Sequence, residues 1–414
     1  MNKKINLNLI KYFILISLFL VFVMANFALA DENVIKYGVI LPLTGPYDAL
    51  GDDQLKGTEL AVEQINAEGG VLGKKVELYV RDSQLDGGIA LRKAKELVDE
   101  EGIKIIGGSL SGAVSRVLNE FAGKNKLLYM AYCQSDMVTG EDINKYGFTN
   151  MVNPYMDVMT VSKYAFGNLG KKWFSLTADY RWGHRLLQAW LYSSGLEGGE
   201  FLGNIYVPLG TTNYTTYIPR ILAANPDFLV MNNLGTDQTA AIKQASQFGL
   251  TNKMKIVCSK TTILTAKECG AVYNSDVYGG VDFYWKLEDK YESARNFVRA
   301  YWDKYGFPPR QDGESAYFAT RTIFDAVKRA GTDTDIDKII DAILSGKYAW
   351  TKGEEEYMPN GQRVESFLVL RGKGEKAEGW DVADIIIEMP GEEIVRTLDQ
   401  AERDFPNCEI ELPK

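Results

Sequence analysis

Few residues in this chain of 414 could carry covalent chemistry. A serine or cysteine hydrolase needs a base beside its nucleophile, and the sequence contains a single histidine, His184. It has no Gly-x-Ser-x-Gly elbow and no P-loop motif. The 55 acidic residues leave carboxylate chemistry open, but most fall on predicted helix surfaces. We therefore expect a binding protein and not an enzyme, with a hydrolase acting through His184 as the alternative.

The four cysteines are the other reactive side chains. Cys258 and Cys269 are separated by a short polar stretch, and we expect them to pair as a disulfide in an oxidising compartment. The alternative is that all four thiols are reduced, and nothing indicates whether Cys133 and Cys408 meet. Because there is no Cys-x-x-Cys pair and only one histidine, we expect neither a zinc site nor another cofactor.

The first 30 residues predict an export signal. A lysine-rich start precedes an apolar run over 12–24, and Ala28-Leu29-Ala30 supplies the small residues that a signal peptidase needs. The apolar run is short for a membrane span, so an uncleaved anchor is the weaker alternative. We expect cleavage after Ala30 and a periplasmic location.

The net charge limits the classes of binding partner, and the length limits the domain organisation. The net charge is −9, and the predicted signal carries three lysines and no acid, so the mature chain carries −9 − 3 = −12. An acidic protein does not suit nucleic acid or an anionic membrane surface. The 414 − 30 = 384 mature residues suffice for two lobes of ordinary domain size.

Short apolar strands alternate with amphipathic helices from Val34 onward, which predicts a parallel sheet with helices on both faces. The predicted strands are 34–41, 75–81, 104–106 and 127–131, and the helices are 53–67, 89–101 and 114–122.

The same alternation restarts after Asn153-Pro154, which predicts a second, similar lobe. Its predicted strands are 173–177, 201–207, 228–231 and 255–258, and its helices are 184–194, 214–224 and 236–248. A helix from beyond Phe283 to Tyr305, another over 315–330, and a β-rich tail with 364–370 and 385–388 follow. Ligands of such sheets bind at the carboxyl ends of the strands, so we expect a cleft between two lobes that closes at a hinge.

Two segments at predicted strand ends have binding chemistry. Residues 109–115 join a strand to a helix start, where free backbone N–H groups and the helix dipole attract a carboxylate by about 0.3–1 kcal/mol. Ser111 adds a hydroxyl donor; the alternative is that Ser109 or Ser111 only caps the helix. In the second lobe, Tyr180 and Trp182 can cover an apolar ligand surface or a cation, or serve ordinary packing.

Asn232 and Asn233 end a later predicted strand. Their amide groups can donate to and accept from a ligand, and the alternative is a role in turn formation, which asparagine favours.

Several motifs, in order along the chain, together resemble the leucine/isoleucine/valine-binding proteins. They are Thr44-Gly45-Pro46, then Gly51, then Gly57-x-x-Leu60-Ala61-Val62-x-x-Ile65-Asn66-x-x-Gly69-Gly70, Arg81-Asp82, Ile106-Gly107-Gly108, Tyr180-x-Trp182-Gly183, Pro226-Asp227, Gln247-Phe248-Gly249-Leu250 and Tyr305-Gly306-x-Pro308. The resemblance implies an α/β type I periplasmic-binding fold, with two similar parallel-sheet lobes, three crossovers and a ligand cleft between them. It places lobe one at 31–151 plus 285–355 and lobe two at 152–284 plus 356–414.

The resemblance also implies a function. It indicates the solute-binding component of an ABC importer, a monomer that delivers its ligand to membrane permease subunits. The implied ligand is an amino acid, a related small carboxylate such as an aromatic acid, or an amide. A ligand-sensing receptor subunit of the same fold is the alternative.

Individual site residues follow from the resemblance. Ser111 and Gly112 match the position where amino-acid-binding relatives hold the α-carboxylate. Tyr132, Cys133 and Gln134 match a second contact of the first lobe, with Tyr132 or Cys133 as core residues being the alternative.

Two further positions depart from the family's amino-acid pocket. Leu50 stands near where relatives often carry an aromatic residue. Lys260 stands near where they often carry an acid that pairs with the ligand's ammonium. A lysine there favours a carboxylate, unless it is a solvated loop charge. Both departures widen the expected ligand beyond branched-chain amino acids.

Overall fold

A computed structural model describes residues 33–45 and 47–396. The predicted signal with its cleavage site after Ala30, Pro46 of the Thr44-Gly45-Pro46 motif, and Cys408 lie outside the described residues.

The first part of the chain forms a five-stranded parallel sheet in the order β2-β1-β3-β4-β5. The strands are β1 Val34–Leu41, β2 Lys75–Asp82, β3 Ile105–Gly108, β4 Leu128–Ala131 and β5 Gly147–Thr149, and the helices are α1 Asp48–Ala67, α2 Gly87–Asp99 and α3 Gly112–Asn125. The predicted strands and helices of this region are confirmed. The short strand β5 was not predicted.

Strand β1 shows why this sheet is covered on both faces. Tyr37, Val39 and Leu41 belong to one hydrophobic cluster, whereas Ile40 belongs to another that includes Leu97 of α2. Alternate residues of a strand point to opposite faces. A strand that is apolar at both sets of positions therefore requires helices on both sides, as buried parallel sheets do.

A second sheet of seven strands has the order β14-β13-β10-β9-β8-β6-β7. Its strands are β6 Lys172–Ala178, β7 Glu200–Val207, β8 Phe228–Asn232, β9 Lys255–Cys258, β10 Val277–Val281, β13 Phe367–Gly372 and β14 Ala383–Met389, and its helices are α4 Pro154–Asn168, α5 Arg181–Glu197, α6 Ile218–Ala224, α7 Gly235–Gln247 and α8 Ile263–Cys269. Strands β6 to β10 are parallel, and the predicted β-rich tail adds an antiparallel pair at one edge.

The segment between β10 and β13 holds the remaining elements, which are α9 Glu292–Tyr305, α10 Gln311–Ala330, α11 Ile336–Leu344, β11 Glu356–Tyr357 and β12 Arg363–Val364. Helix α10 packs along α1. The helix predicted from beyond Phe283 begins only at Glu292, because a 3-10 turn, Trp285–Asp289, precedes it.

The chain passes between the two sheets three times: after β5, after β10 and before β13. A set of buried charged residues, the crossing cluster, joins these passages. Its members are Glu314, Lys352, Glu355, Arg363 and Glu365. The two-lobed α/β fold with parallel-sheet lobes is confirmed. Within the described residues, no helix combines the length and apolar character needed to cross a membrane.

Candidate functional site

A cavity of about 370 Å³ lies where the two sheets face each other. For each strand from β3 to β9, a residue at or just after the carboxyl end lines this cavity. These are Leu110, Gln134, Met151, Ala178, Leu209, Leu234 and Thr262. Parallel sheets bind ligands at this edge, and the volume suits a small molecule.

Six of the residues predicted to contact the ligand meet in this cavity. They are Leu50, Ser111, Gly112, Gln134, Tyr180 and Trp182. They span 182 − 50 = 132 positions of the chain, since the first four follow strands of the first sheet and the last two follow β6.

The N-terminus of α3 opens onto the cavity. Ser111 occupies the N-cap position with an extended backbone, and its side chain makes no capping hydrogen bond. The Ser109 hydroxyl donates to the Ser111 carbonyl at 3.0 Å. Among the described residues, the backbone N–H groups of Gly112 and Ala113 have no protein acceptor. Unpaired amides at a helix N-terminus form a ready site for an anion.

Gly112 permits this arrangement sterically. A Cβ added at Gly112 would lie 2.7 Å from Ser135 Oγ, and 3.1 Å from Ser135 Cβ. The loop after β4 can therefore approach the start of α3 only because residue 112 has no side chain. Any larger residue would displace the Ser135 side chain.

Aromatic rings from both lobes form another part of the wall. Tyr180 and Trp182 have ring centroids 6.1 Å apart with planes inclined by 25°. Burial, and then the proximity of Tyr47 and Asp237, raise the pKa of Tyr180. Tyr47, just before α1, was not predicted as a site residue. The sequence signal was an aromatic side chain three residues before Leu50.

Ion pairs connect the lobes beside the cavity. Glu141, in a π-helical turn Met137–Glu141 of the first lobe, pairs with Arg181 at 2.5 Å and with Arg185, both at the start of α5. Burial opposes ionisation, but hydrogen bonds and the charges of the two arginines hold the pKa of Glu141 below its usual value. Both arginines line the cavity, and sequence reasoning missed them.

Comparison with known proteins agrees with this architecture. Residues 34–376 match the family model described as periplasmic binding protein. The chain belongs to that family. It is 29% identical over 341 residues to Leu/Ile/Val-binding protein homolog 7 of Brucella melitensis, covering 76% of this chain and 82% of the relative. The resemblance predicted from the motifs is confirmed.

Solved structures share the fold of this periplasmic binding protein. An amino acid ABC transporter substrate-binding protein from Pseudomonas fluorescens superposes with a TM-score of 0.81 at 24% identity, covering 86% of this chain and 96% of its own. A solute-binding protein from Rhodopseudomonas palustris in complex with 3,4-dihydroxybenzoic acid has a TM-score of 0.77 at 20% identity, covering 87% and 98%.

Two predicted contacts of the periplasmic binding protein, Tyr132 and Cys133, lie in the core. The Tyr132 hydroxyl pairs with that of Tyr37, and the Cys133 thiol lies 2.9 Å from Ser115 Oγ. Both residues are completely buried, and burial raises the pKa of Cys133 to about 12. The chain after β4 stays within the sheet layer for these two residues, and of the three predicted contacts in this segment Gln134 alone lines the cavity.

Asn233 and Lys260 are also buried beneath the cavity wall and do not line it. The Asn233 amide donates to the Tyr214 hydroxyl at 3.2 Å. Lys260 is fully buried between Asp282, at 2.5 Å, and Asp157, at 3.6 Å. It is not a solvated loop charge, because it is buried and two carboxylates of its own chain already surround its ammonium.

The predicted disulfide is absent as well. Cys258 and Cys269 are free, buried thiols. Burial raises the pKa of both groups, to about 12 for Cys269, whose thiol lies 3.9 Å from the Thr239 carbonyl. Both side chains pack into the hydrophobic cluster of the second lobe, so they serve as small core residues.

The single histidine lies outside the cavity wall. His184 is about half exposed, hydrogen-bonds Asp179 at 2.8 Å and packs against the Tyr206 ring. Among the described residues, no serine or cysteine hydrogen-bonds it, so the geometry gives the hydrolase alternative no support.

Proposed function

We propose that this periplasmic binding protein is the extracytoplasmic solute-binding component of an ABC importer, and that it closes its lobes around a small carboxylate such as an amino acid or an aromatic acid. The open N-terminus of α3 in the wall of the 370 Å³ cavity carries this proposal. Its free amides and the helix dipole suit a carboxylate group.

The rest of the wall suits the body of such a ligand. Tyr47, Tyr180 and Trp182 offer ring faces, and several leucines add apolar surface. Aromatic faces stabilise flat or branched apolar groups that are withdrawn from water. Predominantly apolar walls with a few convergent polar groups are typical of small-molecule sites.

Closure supplies the second half of the site. The amides of α3 belong to the first lobe, and Tyr180 and Trp182 belong to the second, so a ligand contacts all of them only when the lobes meet. The pairs of Glu141 with Arg181 and Arg185 stabilise that closed arrangement. Hinge closure around a ligand is a recurrent transition of two-lobed proteins.

Partners and location complete the proposal. A structural neighbour named as an ABC transporter substrate-binding protein supports delivery of the ligand to membrane permease subunits. We propose that the protein acts as a monomer. We propose export with cleavage after Ala30, and lobes that comprise 31–151 plus 285–355 and 152–284 plus 356–414. The position of the three passages between the sheets supports this division.

A thermal-shift screen tests the ligand class. The probes are L-leucine, benzoate, 3,4-dihydroxybenzoate, acetamide and urea. A ligand at one hundred times its Kd stabilises the folded state by about 2.7 kcal/mol, so a carboxylate ligand raises the melting temperature clearly. If only the neutral amides shift the transition, the carboxylate assignment is wrong.

A matched pair of variants tests the anion site. Ala113 is exposed in the first turn of α3 and lines the cavity. Ala113→Asp places a negative charge at the free amides and should weaken binding of the best acid at least about tenfold, since like charges repel. Ala113→Asn has nearly the same shape without the charge and should have a much smaller effect. Equal effects would place the carboxylate elsewhere.

A further inference from the structure

One charged side chain in the cavity wall has no partner. Asp312 lies in the first turn of α10 and is only 3% exposed, yet it lines the cavity beside Gln311 and Thr262. Among the described residues, neither of its carboxyl oxygens accepts a hydrogen bond or forms an ion pair. Burial of an unpaired carboxylate is unfavourable, so this group requires an explanation.

The charged groups around Asp312 are already occupied by others. Arg310 pairs with Asp53, and Lys260 pairs with Asp282. Burial and the neighbouring Asp53 raise the pKa of Asp312 to about 7, although Lys260 and Arg310 oppose the shift. Asp312 therefore differs from the buried acids beside it, which have cationic partners within the chain.

We infer that Asp312 accepts a hydrogen bond from the ligand, and that the ligand is a small carboxylic acid carrying a second group with an N–H or O–H donor. This inference rests on the proposed function. The amides of α3 receive the carboxylate, and Asp312 receives the donor group.

The arrangement makes Asp312 a specificity-determining residue. An acid with a suitable donor satisfies the carboxyl when the cavity closes. An acid without one leaves Asp312 desolvated and unpaired. Sites built to hydrogen-bond a polar group strongly reject analogues that lack it. A hydrogen bond to a charged group corresponds to a preference of roughly 10- to 100-fold for the acid with the donor over the analogue without it.

Calorimetric titration of the mature protein with two matched pairs of acids tests the inference. L-Leucine is compared with 4-methylpentanoate, which lacks the amine, and 3,4-dihydroxybenzoate with benzoate, which lacks the hydroxyls. We expect the wild-type protein to bind the donor-bearing member of one pair roughly 10- to 100-fold more tightly. The pair that shows the preference identifies the donor as an amine or a hydroxyl.

Variants then assign the preference to Asp312. Asp312→Asn keeps the shape, removes the charge and should reduce the preference to about threefold or less. Asp325→Asn is the control on the same helix, because Asp325 pairs with Arg329 and does not line the cavity. This control should retain the wild-type preference.

Each outcome has a distinct meaning. The inference is wrong if the wild type binds both members of each pair equally. It is also wrong if the preference is unchanged in Asp312→Asn. Neither result contradicts the proposed function. Binding of none of the four acids overturns both the inference and the proposed function.

If Asp312→Asn does not fold, the pH dependence of binding to the wild-type protein tests the inference instead. A preference for the amine should decline as the pH falls below about 7, because Asp312 then gains a proton. A pH-independent amine preference would contradict the assignment.

Discussion

The crossing cluster and the cavity both contain polar groups, but the charged side chains of the cluster form ion pairs with one another, whereas several polar groups of the cavity have no partner among the described residues. In the cluster, Lys352 lies 2.7 Å from Glu365 and donates to the Asp282 carbonyl at 2.9 Å. Arg363 lies 2.6 Å from Glu355 and 2.9 Å from Glu314. In the cavity, the amides of α3 and the carboxyl of Asp312 are left without partners. Paired charges therefore join the passages between the lobes, whereas the unpaired groups in the cavity are the ones that we propose bind the ligand.

Arg363 shows what the paired charges accomplish. Its guanidinium also donates to the Asn150 carbonyl at 3.2 Å and lies 3.5 Å from the centre of the Phe318 ring. Asn150 belongs to the first passage, Glu314 to α10 and Arg363 to the third passage. One buried cation thus joins segments more than 200 residues apart. This network of buried ion pairs and hydrogen bonds gives the passages between the lobes a defined geometry.

The largest effect is expected from Arg363→Met. This change leaves Glu314, Glu355 and Glu365 buried without their shared cation. Breaking a buried ion pair by removing one partner costs about 3–5 kcal/mol, so the free energy of unfolding should fall by that amount in urea denaturation. Arg371→Met is the control, since its pair with Asp384 is nearly half exposed. Its effect should stay within about 1 kcal/mol. Similar stability of the two variants would contradict a structural role for the cluster.

Lys260→Met should lower the free energy of unfolding by about 3 kcal/mol, because Asp157 and Asp282 lose the ammonium group that pairs with them. Burial already raises the pKa of Asp157, against the favourable charge of Lys260. Affinity for benzoate, measured by calorimetry under folded conditions, should change by less than about threefold, since Lys260 does not line the cavity.

Lys255→Met, which removes an ion pair with Asp276 at the partly exposed start of β9, is the matched control for stability. If Lys260→Met weakens carboxylate binding while stability is unchanged, Lys260 belongs with the cavity and not with the paired charges.

The unpaired state of Asp312 should be visible in the pH dependence of stability without ligand. Its pKa is about 7 in the folded protein and near 3.8 in an unfolded chain, so the folded state binds the extra proton between these values. Asp312 therefore lowers the free energy of unfolding as pH rises from about 4 to 7, with an expected change of about 3 kcal/mol.

Denaturation of the wild type and of Asp312→Asn at several pH values measures this contribution. The variant should show a flatter profile over that range and be the more stable protein at pH 8. A variant with the same profile as the wild type would show that Asp312 is paired in solution.

The smallest effect is expected from Trp182→Ala, which removes one ring from the cavity wall. Trp182 is partly exposed and packs at the margin of the second-lobe core. The change should weaken binding of an aromatic acid by about 1 kcal/mol, roughly fivefold, with the fold intact. Trp380→Ala, which alters a partly buried tryptophan outside the cavity, should leave affinity unchanged. Unchanged affinity of Trp182→Ala would remove this ring from the site.

Sequence reasoning located the site through its strand ends. Ser111, Gly112 and Tyr180 follow strands that apolar periodicity predicts, and chain order alone puts such segments at one edge of a parallel sheet. The same reasoning failed for Tyr132 and Asn233, because it cannot tell which residue after a strand still faces the core. It missed Asp312 because the predicted helix began at Ser315, whereas the helix begins at Gln311, so Asp312 fell at no predicted strand end or helix start.

The sequence by itself determined the order of strands and helices, the two-lobed α/β class and the chemical character of the strand ends, because these depend on local periodicity and on motifs of contiguous residues. Only the tertiary structure decided which charges are paired. Lys260 meets Asp157 across 103 residues, as 260 − 157 gives, and Arg363 meets Glu314 across 49. Such pairs form when distant segments are brought together, and the same packing leaves Asp312 without a partner in the cavity.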